Sequence, residues 1–66
     1  MVSGSKLQPV VGQRLFFIPD ERRSTLEPGY VWVLKRDPWR PRSYKVAYVA
    51  DDDVWFWCHA AELSTP

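Results

Sequence analysis

Residues 30–36 alternate in character, with Tyr30, Trp32 and Leu34 on one side and Val31, Val33 and Lys35 on the other. That two-residue period is the signature of a half-buried β-strand. The same period returns in 44–49, where Tyr44, Val46 and Tyr48 oppose Lys45, Ala47 and Val49. It returns again in 54–58, where Val54, Phe56 and Cys58 oppose Trp55, Trp57 and the following His59. An earlier run, Val10 to Ile18, is rich in β-formers and ends at Pro19-Asp20, because proline removes a ladder donor. The connections carry turn chemistry. Residues 20–29 are charged and polar and close on Pro28-Gly29, 37–42 read Asp-Pro-Trp-Arg-Pro-Arg, and 51–53 are three aspartates. Residues 59–63 are too short for an ordinary α-helix and predict one 3₁₀ or α turn that seats Leu63 on the core. With no helical stripe anywhere, the pattern predicts an all-β fold, a small antiparallel barrel of four to five strands. It occupies residues 9–66 behind a flexible tail at 1–8.

The segment Val54-Trp55-Phe56-Trp57-Cys58 has bulky apolar residues on both faces of its strand. A chain of 66 residues rarely covers both. One face belongs to the core, and the other needs a partner, a subunit interface or a ligand. The residues singled out for that contact are Trp32, Tyr48, Trp55 and Trp57. Tryptophan is enriched where interfaces concentrate their energy. The competing assignment reverses the faces, burying Trp55 and Trp57 and leaving Phe56 outside.

Composition narrows the function classes. The chain has nine Lys and Arg against eight Asp and Glu, a formal charge of +1, so no global field draws in a polyanion. Basic character is local. Lys35, Arg36, Arg40, Arg42 and Lys45 surround Trp39 with only Asp37 to offset them, and a ring among cations suits single-stranded nucleic acid. The bland alternative is a solvated hairpin whose charges guard a sheet edge. The acidic run Asp51 to Asp53 has the opposite sign and could dock on this patch in a neighbouring subunit.

Cys58 is the single cysteine, which excludes an internal disulfide, and with His59 as the single histidine a metal site within one chain is not expected. Cys58 reads as a small buried apolar residue, and strand alternation turns His59 away from it. No nucleophile triad, phosphate loop or suggestive carboxylate pair is visible, and no cofactor is implied. No apolar run approaches a membrane span, which places the expectation at a soluble, cytoplasmic protein.

The order Val11-Gly12-Gln13-Arg14-Leu15, long loop, Gly29-Tyr30-Val31-Trp32-Val33, proline-rich turn, Ser43-Tyr44-Lys45-Val46, acidic turn, Val54-Trp55-Phe56-Trp57, Ala60-Ala61-Glu62-Leu63 resembles an SH3-like barrel of bacterial, phage or mobile-element type. In layout it is similar to plasmid-type (type II) dihydrofolate reductase, through Gly12-x-Arg14 and through Val54 followed after five residues by Ala60-Ala61. That resemblance implies self-assembly, as a tetramer around a pore lined by Val54, Trp55, Phe56 and Trp57. Tryptophan stands at the positions of the family's ligand-binding glutamine and of its tyrosine, which points away from its catalysis. Tyr48-Val49-Ala50-Asp51-Asp52 also resembles the strand and acidic turn of Tudor-like domains. That likeness implies a cage for a cationic side chain walled by Trp32, Tyr48, Trp55 and Trp57. The leading expectation is a non-enzymatic module that contacts itself or another protein through its aromatic surface, with nucleic-acid binding at the Trp39 hairpin as the alternative.

Overall fold

The computed structural model describes residues 8–22 and 25–65. It contains five β-strands, β1 (Arg14–Phe17), β2 (Gly29–Arg36), β3 (Ser43–Tyr48), β4 (Trp55–His59) and β5 (Leu63–Ser64), with a 3₁₀ turn at Ala60–Glu62 between the last two. All pairings are antiparallel, in the spatial order β4-β3-β2-β1-β5. The all-β architecture and the short turn before Leu63 match the sequence expectation. The closed barrel does not: β4 and β5 are the two ends of the ladder. The reason is geometric. A three-residue turn carries the chain from β4 across the core to β1, where β5 pairs over only two residues. Side chains close the gap that the backbone leaves open, with the Phe17 and Phe56 rings 4.7 Å apart across it.

The concave side holds the core of Leu15, Phe17, Val31, Val33, Val46 and Cys58, all essentially without solvent contact. These are the inward halves of the alternating patterns. Leu63 joins them from β5, and Phe56 and Tyr48 pack against the margin.

Two expected boundaries move. Val10 and Val11 were expected in the first strand, but they lie in a turn: Gly12 adopts φ 93° and Gln13 N–H donates to the Val10 carbonyl at 2.9 Å. Only glycine takes that left-handed conformation without penalty, so the strand starts after it. In β2, the register jumps between Val33 and Lys35: Val33 pairs with Val46, yet Lys35 pairs with Lys45. Leu34 is the extra residue of a β-bulge. Directly opposed residues of an antiparallel pair share a face. The bulge therefore transfers Lys35 from the Val31–Val33 side, where strict alternation put it, to the convex face beside Lys45.

The 3₁₀ turn is fastened by one buried carboxylate. Glu62 accepts from His59 N–H at 3.0 Å and from Asp20 N–H at 2.9 Å, tying the loop after β1 to the end of β4. His59 Nδ1 accepts from Ala61 N–H at 3.0 Å, completing a reciprocal cap. The last role of His59 is thus structural.

Candidate functional site

The convex face of the sheet assembles the aromatic residues that the core rejects. Register fixes their order: Arg14, Trp32, Ala47 and Trp55 form one row across β1, β2, β3 and β4. Neighbouring strands lie about 4.8 Å apart, so the indoles of Trp32 and Trp55 flank Ala47 on either side. Ala47 is only 2% exposed although it points outward, because those rings cover it. The next row brings Lys35, Lys45 and Trp57 together across β2, β3 and β4. Phe16 and Tyr30 pair on the β1 side, with ring centroids 5.0 Å apart in an edge-to-face arrangement.

Trp32, Trp55, Trp57 and Tyr30 remain 39%, 54%, 39% and 44% exposed. At roughly 200 Å² per side chain, that leaves about 350 Å² of ring surface in water, the size of the largest apolar patch on a typical monomer, which is often functional. The competing assignment, with Trp55 and Trp57 in the core, is excluded: Phe56 points inward and the two indoles outward. Tyr48 separates from the other three residues chosen with it. It stands on the concave side of β3, packs on Phe17 and Phe56, and donates its hydroxyl to the Glu27 carbonyl at 2.6 Å. One cage walled by Trp32, Tyr48, Trp55 and Trp57 is therefore not formed within a chain, because β3 turns Tyr48 and Ala47 to opposite faces.

Cations lean on these rings. The Lys45 ammonium lies 4.1 Å from the Trp55 ring centroid, and the Arg14 guanidinium 5.1 Å from that of Tyr30. Such contacts orient the charge while leaving it unneutralised. The outward positions of the four long strands thus carry aromatic rings, small or aliphatic residues and cations, and no carboxylate. The acids sit elsewhere, in the loops and in the Glu62 cap. Asp51, Asp52 and Asp53 gather at the turn before Trp55, where Asp51 accepts from Asp53 N–H at 3.3 Å.

The basic hairpin divides into two groups. Lys35, Trp39, Arg40 and Ser43 border an open notch of about 660 Å³ whose far wall is Trp57. Arg36 and Arg42 turn to the other side, beside Pro9 and Tyr44. The sequence motif holds the notch rigidly. Asp37 accepts from Trp39 N–H at 2.8 Å and Arg40 N–H at 3.3 Å, and its own N–H donates to the Ser43 carbonyl at 2.9 Å. Pro38 and Pro41 restrict φ on either side of Trp39-Arg40, and Arg42 closes the hairpin at φ 68°. Trp39 is presented at the tip with 88% of its surface in solvent. Arg22 pairs with Asp20 in the loop after β1, and among the described residues no ion pair joins Lys35, Arg40 or Lys45 to a carboxylate.

Sequence reasoning kept the tryptophan face and the Trp39 hairpin as separate candidates. The fold joins them at Trp57. It also adds Arg14 and Phe16, to which the sequence assigned no face, and Tyr30, which alternation had set beside Trp32 without marking it as a contact residue. A second concavity, of about 600 Å³, opens at the acidic end between Leu26, Pro28, Tyr48 and Val54. Cys58 is buried, as its alternation indicated. No helix among the described residues is long and apolar enough to cross a membrane. Comparison with known protein families, with characterised proteins and with solved structures finds no match to this chain.

Proposed function

We propose that this chain is a non-enzymatic binding module of SH3-like type, and that its working surface is the convex face of the sheet, centred on Trp32, Trp55 and Trp57. The observation that carries the reading is the sorting of the aromatic residues. Seven outward positions on four strands hold Phe16, Tyr30, Trp32, Leu34, Ala47, Trp55 and Trp57, and a folded domain gains nothing from keeping indoles in water. Contact with another macromolecule, whether a protein, a further copy of this chain or nucleic acid, removes that surface from solvent. Pore catalysis of the reductase kind has less support. It needs a tetramer with polar ligand-binding groups on β4, and the outward groups of β4 here are Trp55, Trp57 and His59, the last occupied in capping the 3₁₀ turn.

The test compares the wild type with a Trp55→Ala/Trp57→Ala variant by light scattering and by titration with candidate ligands. The reading expects any association of the wild type to be lost in a variant that keeps its β-sheet circular dichroism. Association that survives removal of both indoles sinks it.

A further inference from the structure

We infer that the ligand of this face is single-stranded nucleic acid, seated from the Trp39 hairpin across Trp57 toward Lys45 and Trp55. The inference rests on the binding-face reading above and names its partner. Three features of the molecule converge on it. The first is the pairing of chemistries. The charged side chains on the convex rows are cationic and each stands next to a ring, Lys45 over Trp55, Arg14 over Tyr30 and Lys35 in the row with Lys45 and Trp57, and Arg40 joins them beside Trp39 in the notch. A second copy that set this face against itself would bring like charges together there, the exposed acidic turn of another copy offers carboxylates but no ring to stack on Trp39 or Trp57, and an apolar partner would strand the cations. A strand of nucleotides supplies an anion and a planar ring in each repeat.

The second feature is preorganisation. Trp39 sits on a turn held by two prolines and by the Asp37 carboxylate on two backbone amides, so little freedom is lost when a base stacks on it. The bulge at Leu34 does the same for charge, because it places Lys35 on this face instead of the concave one. The third feature is the field along β4. Asp51 to Asp53 occupy one end and the hairpin cations the other. Repulsion from three carboxylates keeps phosphates off the acidic turn, so the path from the hairpin ends at Trp55 and the Lys45 ammonium above it. Asp37 is the one carboxylate at the notch, and it is turned into the hairpin backbone. A duplex is disfavoured, because its bases are stacked on one another and offer no ring face to Trp39 or Trp57.

The experiment is a tryptophan-fluorescence titration with a 12-nucleotide oligothymidylate and with oligouridylate, repeated from 25 to 200 mM salt, with a duplex of equal length and heparin as controls. Quenching is expected with both single strands. Three or four phosphate contacts give a log–log salt slope near −2 to −3 at about 0.7 per contact, so affinity falls about 20- to 50-fold between 50 and 200 mM. A preference for one single strand over the other assigns the source as DNA or RNA. Trp39→Ala should weaken binding about five-fold or more, the loss expected for one stacked base. Lys35→Glu and Arg40→Glu should each weaken it and flatten the salt slope by about one contact. Trp57→Phe, which keeps a ring and the packing, should retain most of the affinity, in contrast to Trp57→Ala. Absence of quenching at 25 mM salt overturns the inference, as does equal affinity for duplex or heparin. A wild type that self-associates through the tryptophan face and ignores oligonucleotides overturns it while leaving the binding-face reading intact. Oligonucleotide binding indifferent to Trp55 and Trp57 overturns both.

Discussion

The concave and convex faces of this sheet are built from the same four strands, alternating residue by residue, yet they carry opposite chemistry. Phe17 and Phe16 are neighbours in β1. The first is wholly buried among Leu15, Val31 and Phe56, and the second packs edge-on to Tyr30 at the surface. The concave side holds aliphatic groups and small rings, which interdigitate in little space. The convex side holds the indoles of Trp32, Trp55 and Trp57, whose polar N–H groups tolerate water. Stability and the proposed binding are therefore assigned to alternate residues, and changes on the two faces should have separable effects.

The largest effect tests the concave side. Phe17→Ala should cost about 3–5 kcal/mol by leaving a cavity against Phe56 and Tyr48, comparable to the whole stability of a 66-residue domain. Urea unfolding checks it, and a native transition near that of the wild type would break the comparison. Glu62→Ala comes next, at about 3 kcal/mol, because it leaves the amides of His59 and Asp20 unpaired at the seam between β4 and β1. Glu62→Gln, which preserves an acceptor, should cost clearly less. Both are read from the same unfolding curves.

Gly12→Ala sharpens the point about register. Nothing lies within 4 Å of an added methyl group, so the cost is conformational, about 1–2 kcal/mol for a left-handed residue. A one-residue slip of β1 would exchange Phe16 with Phe17, so hydrogen exchange along β1 should accelerate in that variant. The smallest effect belongs to the convex side. Trp39→Ala should change stability by less than about 0.5 kcal/mol, as expected for a side chain in solvent. A thermal melt that drops by many degrees would show the hairpin tip to be structural.

Much of this was legible in the chain. Alternation in 30–36, 44–49 and 54–58 located three strands and divided each into two faces, and it marked Cys58 as interior while leaving open which face of 54–58 Phe56 and the tryptophans take. What escaped has physical causes. The bulge at Leu34 bears no glycine or proline, so nothing in the residue types announces that Lys35 changes face. Val10 and Val11 are strong β-formers overridden by the conformation of Gly12. Tyr48 was grouped with the tryptophans because it is aromatic, although its own alternation with Ala47 already set it on the other face. The union of the hairpin with the tryptophan face depends on β3–β4 register, which no local pattern encodes.

The claim that the two faces do different work is tested most directly by urea unfolding of the Trp55→Ala/Trp57→Ala double variant beside the wild type. The account predicts a cooperative β-sheet transition displaced by about 1–2 kcal/mol, because the indoles stand outside the core but each buries about half its surface. Loss of the folded baseline, or a displacement comparable to that of Phe17→Ala, would contradict it.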